Sequence, residues 1–222
     1  MTALLAVLLI ATPFLFNAAY AALAVRFDYP GILRRPTSEI LERFHAGGSR
    51  LVLLWFAFAV SAMMFVPVAA LAGLLVADPT MRLLAVAVGV TAGVVQSAGL
   101  LRWVFLVPYL AREQAAPGAD HRTIDLVFQA QHRYLGVAVG EHLGYLTTGA
   151  WTILLAVSTG LPLWLSIPGM AVGGALVIGS LEFVGPFEER GWRLAGILVP
   201  VGYALWSVWL VAVGIVVLVT GR

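Results

Sequence analysis

Six long apolar stretches, separated by short polar ones, constrain this chain more than any other feature. They run approximately over residues 3–25, 51–76, 83–108, 126–157, 163–184 and 194–219, and each is long enough to cross a hydrocarbon core of about 30 Å. In lipid every backbone N–H and C=O must be satisfied within the spanning element, so runs of this length fold as helices. Composition agrees: of 222 residues, 61% are hydrophobic and 11% charged, whereas a soluble domain carries about 25% charge. The chain reads as an all-α polytopic membrane bundle forming one transmembrane domain over residues 1–222. The fourth stretch is overlong, and its first turns are expected at or beyond the interface. An Ala-x-Ala pattern at Ala22–Ala24 resembles a signal-peptidase site, but no basic residue precedes it and its apolar run exceeds a signal-peptide core. The first stretch is therefore expected to stay as a helix.

Arginine placement gives the orientation. All 13 basic residues are Arg. Ten fall in or beside the first, third and fifth loops: Arg26, Arg34, Arg35, Arg43 and Arg50, then Arg112, Arg122 and Arg133, then Arg190 and Arg193. Only Arg82 and Arg222 fall on the other side. The positive-inside rule then sets those three loops in the cytoplasm and both termini outside. Trp151 and Trp164 would mark the outer interface, and Trp55, Trp103 and Trp192 the inner one; Trp206 and Trp209 fall too deep for either belt.

Within the first loop, Pro30 and Gly31 stand in the order that a type II turn prefers. The following "PTSEILERFHAGG" predicts a short interfacial helix: Thr37 or Ser38 as cap, Glu39 in its first turn, Arg43 towards its end and Gly47 as stop. Ile40, Leu41 and Phe44 form its apolar face, suited to the inner leaflet, and His45 is expected in solvent. Small residues recur every fourth position at Gly136, Gly140, Gly144 and Thr148, at Gly89, Gly93 and Ser97, and at Gly169 and Gly173. Such rows let helix backbones approach closely in lipid, with the fourth segment at the centre.

Several chemistries are excluded. Without Cys there are no disulfides, thiolate nucleophiles or iron–sulfur ligands. Without Lys there is no Schiff base, and a net charge of +2 does not argue for nucleic acid. No two of the four histidines are spaced for a single-helix zinc pair, and His142 alone is embedded, so bis-His haem ligation is not expected. Neither metal nor cofactor is expected. Glu188 and Glu189 in "GPFEERGW" superficially resemble the Pro-x-Glu-Glu of membrane lycopene cyclases, yet they lie in a short charged loop, where a solvated or Arg-paired face is expected.

The candidate site is polar and lies towards the cytoplasmic half. Glu141 falls about 10–15 Å inside the inner edge at the α-helical rise. Arg102 and Glu182 lie near the inner ends of the third and fifth segments, Asn17 in the inner half of the first, and Gln96 near the midplane of the third. An ionised group facing lipid near mid-bilayer costs at least about 2.5–3.5 kcal/mol, so such groups turn inward and pair. Arg102 is the expected cation for Glu141, Glu182 or both. Tyr145, four residues after Glu141 and three after His142, could join both in one hydrogen-bonded unit. Three readings stay open: a cavity that binds or senses a small amphiphilic molecule, alone or within a larger membrane complex or homo-oligomer; a membrane enzyme with Glu141 as proton donor on a lipid or isoprenoid; and a structural subunit in which these residues only lock the fold.

"FDYPGILRRPTSEILERFHAGG", "LLRWVFLVPYLA", "GEHLGYLTTGAWT" and "LEFVGP" with "GWRLAGILVPVGYALWSVWLVAVG" resemble the bacterial membrane family catalogued as domain of unknown function 4386. The resemblance spans nearly everything after the first segment. It implies a six-pass protein of a bacterial plasma membrane and supplies no activity.

Overall fold

In the computed structural model, residues 2–221 are described, apart from the side chains of Glu188 and Glu189. The carboxylates of the cyclase-like motif, and Arg222 among the arginines, therefore lie outside the described residues. Ten α-helices follow one another: α1 Thr2–Phe27, α2 Thr37–Met63, α3 Phe65–Ala72, α4 Pro79–Phe105, α5 Val107–Ala115, α6 His121–Gln131, α7 Gly144–Ser158, α8 Leu163–Gly179, α9 Pro186–Arg190 and α10 Ala195–Thr220. A π-helix, His132–Leu143, joins α6 to α7, and no strand occurs among the described residues. Five helical stretches are long and apolar enough to cross a membrane: 2–27, 37–75, 79–115, 163–183 and 195–220. The sixth rod, α6–π–α7, is the one interrupted by polar residues. This is a multi-pass helix bundle whose surroundings are a lipid bilayer.

The rods form a ring. Each packs on the next in sequence, and α1 closes onto α10. Neighbours run antiparallel, as the contact registers show: Gly99 meets Gly140 while Gly89 meets Trp151, Gly149 meets Gly173, and Gly169 meets Trp209 while Gly179 meets Val199. An even number of rods joined by short connections permits this closure without a long crossover. The glycine rows lie in the seams. A Cβ on Gly149 would stand 2.5 Å from the Gly173 carbonyl oxygen, and one on Gly173 2.7 Å from that of Gly149. Without a hydrophobic effect between helices in lipid, such close packing supplies the association.

Three of the five expected belt tryptophans, Trp55, Trp103 and Trp151, are instead fully buried. Trp55 and Trp103 stack at 4.5 Å with planes 8° apart, and Phe27 meets both rings edge-on. The belt rule places an indole by depth, but here the helix face bearing it turns into the bundle. Trp164 remains exposed. Trp206 donates to the Thr152 hydroxyl at 2.9 Å and Trp209 to the Leu165 carbonyl at 2.9 Å, which explains how two deep indoles are satisfied.

The first loop departs from expectation in four details. The chain turns at Asp28, in the left-handed region with φ 57°, and Gly31 opens a 3-10 turn over Gly31–Arg34. No type II turn forms at Pro30–Gly31, because the Asp28 carbonyl accepts from Ile32 at 2.7 Å and reverses the chain earlier. The short helix is present from Thr37, but Pro36 precedes it without a side-chain cap. The Thr37 hydroxyl is engaged elsewhere, donating to Asp125 and accepting from Gln129. Its break falls at Gly48 (φ 55°, ψ −156°) rather than Gly47, since only glycine takes that backbone region freely. Ile40, Leu41 and Phe44 are buried against Phe27, Leu110, Ile124 and Phe128, so this apolar face covers protein and not acyl chains. Asp120 caps α6: its carboxyl accepts from the Thr123 hydroxyl at 2.7 Å and the Thr123 amide at 3.1 Å, and these bonds hold it below the usual carboxylate range.

Buried apolar side chains form two separate clusters. One, in the arginine-poor half, draws on every rod and includes Leu9, Phe65, Trp151, Leu176, Trp209 and Val213. The other, at the arginine-rich end, contains Leu23, Phe27, Phe44, Trp55, Trp103 and Phe128, and takes nothing from α7, α8 or α10. The bundle is thus tightly cored in one half and divided in the other.

Candidate functional site

The dividing line is where the polar residues converge. Glu141 sits on the π-helix, whose i→i+5 ladder is rare and favours functional positions. Two glycines seat that ladder against α4. A Cβ on Gly99 would meet the Gly140 Cα at 2.6 Å and the Leu135 carbonyl oxygen at 3.0 Å, and one on Gly136 would meet the Arg102 guanidinium at 2.6 Å. Gly144 faces Gln96, whose amide donates to the Ala92 carbonyl at 3.2 Å and the Thr148 hydroxyl at 3.0 Å. The fourth-residue row on this rod therefore lies along α4, as its spacing suggests.

The expected clasp of Arg102 and Glu141 does not form. Arg102 is buried; it donates to the Gly99 carbonyl, approaches His132 Nδ1 at 3.4 Å and lies 5.4 Å from the centre of the Trp103 ring. Among the described residues the ion pairs within 4 Å are Arg35–Glu39 and Arg43–Glu39. Arg102 and Glu141 interact only through space, because the guanidinium wraps across Gly136 towards the other side of α4. Glu182, half-buried on the 3-10 turn Ser180–Phe183, feels Arg34 from the first loop, and Arg102 is not its contact either.

The proposed unit of acid, imidazole and phenol is likewise divided. His142 Nδ1 lies 2.8 Å from the Ser180 carbonyl, tying the π-helix to the end of α8. The Tyr145 ring packs between Phe183 at 5.7 Å and Tyr203 at 5.2 Å. The Glu141 carboxylate makes no hydrogen bond or ion pair among the described residues, and the residue is half-buried, keeping some accessible surface.

Aromatic rings form an arc beside that carboxylate. Tyr29 meets Tyr20 at 5.7 Å, Tyr20 meets Phe58 at 6.2 Å, Phe58 meets Phe16 at 4.7 Å, and Phe16 stacks on Tyr203 at 6.5 Å. Tyr145 and Phe183 continue the arc. Glu141 interacts electrostatically with Tyr29 at one end and with Tyr203 and Tyr145 at the other. In the first loop, burial pushes the Tyr29 phenol up, the Glu141 carboxylate pushes it further, and Arg102 opposes both. Tyr29, Tyr20 and Phe16 were not singled out from sequence. Their signal was faint: the loop that carries Tyr29 reads as a turn, and nothing in its composition says that it folds back over the bundle.

Asn17 ties α1 to α10. Its amide donates to the Pro13 carbonyl at 2.7 Å and the Ser207 hydroxyl at 3.0 Å, in an exposed position. On the arginine-poor side of this bond α1 and α10 are tight, with Gly214 against Ala6, Leu9 and Ile10. On the other side α1 packs into the cluster of α2, α10 follows α8 through Gly202 against Leu176, and Tyr20 is 37% exposed. The seam there is held by aromatic rings, Phe16 on Tyr203 at 6.5 Å, in place of the glycine packing. Among the described residues no group of three metal-binding side chains occurs.

A protein-family model described as a domain of unknown function (DUF4386) matches residues 4–214. No curated protein and no solved structure matches the chain significantly.

Proposed function

Because the chain belongs to the DUF4386 family, whose description assigns no activity, its function must be read from its own residues, and we propose that it binds or senses a small amphiphilic molecule in a cleft between α1 and α10, beside Glu141. The supporting observation is that the Glu141 carboxylate, on a rod packed between α4 and α8, has no hydrogen-bond or ion-pair partner among the described residues while the residue keeps accessible surface. An intramembrane carboxylate that serves only the fold is expected to be paired. This one is left available in the gap that the apolar clusters do not fill, between polar groups and aromatic rings suited to a molecule with a polar head and an apolar body.

By the positive-inside rule the arginine-rich end faces the cytoplasm, so the cleft opens towards the inner leaflet of a bacterial plasma membrane and both termini lie outside. Native mass spectrometry of gently extracted protein tests the reading. A retained non-protein mass, reduced in occupancy by Glu141→Gln and by Tyr145→Leu while the melting temperature holds, is expected. A bare protein mass, with no added amphiphile raising the melting temperature, would refute it.

A further inference from the structure

The ligand class can be narrowed, on the premise that the cleft binds an amphiphile. We infer that the head group it receives is an organic cation, of the quaternary ammonium or phosphonium kind. Three features of the cleft carry this. The acid within it, Glu141, is without a partner among the described residues. The neighbouring cation does not face the cleft: the Arg102 guanidinium is buried at 7% exposure and engaged by the Gly99 carbonyl, His132 and the Trp103 ring. It offsets part of the Glu141 field but offers a ligand no hydrogen bond.

Third, a chain of ring contacts runs from Tyr29 through Tyr20, Phe58, Phe16 and Tyr203 to Tyr145, and Tyr29, Tyr145 and Tyr203 lie within electrostatic range of Glu141. Ring quadrupoles attract a cation that has few hydrogen-bond donors, and a carboxylate supplies the net charge. An anionic head group would meet the Glu141 carboxylate and the electron-rich ring faces, both repulsive. A neutral one would gain no charge interaction with the acid, whose desolvation it increases. The hydroxyls of Tyr29 and Tyr145 make no hydrogen bond among the described residues, so the phenols remain free to turn their oxygens towards the same positive charge.

Shape-matched probes of different charge test this: tetraphenylphosphonium, tetraphenylborate and uncharged triphenylphosphine oxide. Each is measured separately on protein in phosphatidylcholine nanodiscs, against empty nanodiscs. Saturable phosphonium binding, at least ten-fold tighter than that of the borate or the oxide, is expected. Glu141→Gln should remove that preference, and Tyr203→Leu should weaken the phosphonium at least three-fold more than the oxide. Circular dichroism and thermal melting confirm that each variant is folded. If Glu141→Gln does not fold, Tyr203→Leu and Glu141→Asp, which keeps the charge, decide the matter: the second must retain the preference. Borate or oxide binding as tightly as phosphonium would overturn the cationic head group while leaving an amphiphile cleft in place. Binding of none of the three would overturn both.

Discussion

The contact between Gly99 and Gly140 is the one on which the position of Glu141 depends, and Gly99→Ala should show it. An added Cβ would stand 2.6 Å from the Gly140 Cα, with the Leu135 carbonyl oxygen at 3.0 Å and the Gly140 nitrogen at 3.2 Å. Ordinary contact begins at 3.4 Å, so the two rods must part by about 0.8 Å, and every neighbour is backbone that cannot rotate away. Overpacking of this kind costs about 1–3 kcal/mol. Alanine also gains about 1 kcal/mol over glycine within a helix, which would mask part of the loss. Gly174→Ala supplies the correction, because a Cβ there meets nothing within 4 Å and only the propensity gain remains. The gap between the two variants therefore isolates the overpacking, about 1–3 kcal/mol. At roughly 2–4 °C per kcal/mol for a chain of this length, they should melt roughly 2–12 °C apart in the same detergent, Gly99→Ala lower. Since Glu141 directly follows Gly140, the same variant should also weaken phosphonium binding, while Gly174→Ala leaves it unchanged. Coincident melts would mean that α4 and the π-helix are not in backbone contact, and the placement of Glu141 would fall with it.

Other outcomes follow from the same geometry. In a double-mutant cycle of Arg102→Met and Glu141→Gln, thermal stability should show a coupling of at most about 2 kcal/mol, because a direct buried pair is worth about 3–5 kcal/mol when broken and these two do not touch; a coupling in that range would restore the clasp. Thr152→Val leaves the buried Trp206 N–H without its acceptor and should lower stability by about 1–3 kcal/mol, read by chemical denaturation, with Trp206→Phe in the same background recovering part of it. Single cysteines at Ser38 and Ala116 should label only from the cytoplasmic side, and one at Thr80 only from outside; the reverse pattern would invert the orientation. Asp120→Ala should speed hydrogen exchange of the Thr123 amide. In the unmodified chain that cap should survive acidification through the ordinary carboxylate range and be lost only below it, since a depressed folded pKa confers stability above that range and loses it as pH falls.

The bundle was legible in the sequence because lipid is a demanding solvent: a long run without charge has one helical outcome, and its length measures the crossing. The small-residue rows also carried real information, since Gly136, Gly140, Gly144 and Thr148 all face α4. What hydropathy does not convey is which way a side chain points around its helix. Trp55, Trp103 and Trp151 have the depth of belt residues, and nothing along the chain distinguishes a ring-facing indole from a lipid-facing one. The same holds for Ile40, Leu41 and Phe44, whose stripe fits a membrane surface and a protein surface equally well.

The site was legible as a set of residues but not as a set of contacts. Glu141, Tyr145, Gln96 and Asn17 could be chosen by polarity at depth. Pairing Glu141 with Tyr145 and Arg102, however, assumed an α-helical ladder and the shortest route between opposite charges. The structure removes the first assumption: Glu141 lies on the π-helix His132–Leu143 and Tyr145 on α7 beyond its end, where its ring turns to Phe183 and Tyr203. Gly136 removes the second. A side chain there would hold the guanidinium off, whereas its absence lets Arg102 lie flat against the π-helix and reach His132. The positive charge is thereby folded into the seam of α4, and Glu141 is left as the charge that the cleft presents. The residue type that decides this arrangement is glycine, whose effect is to let neighbours approach, and a sequence names the glycine without naming the neighbour.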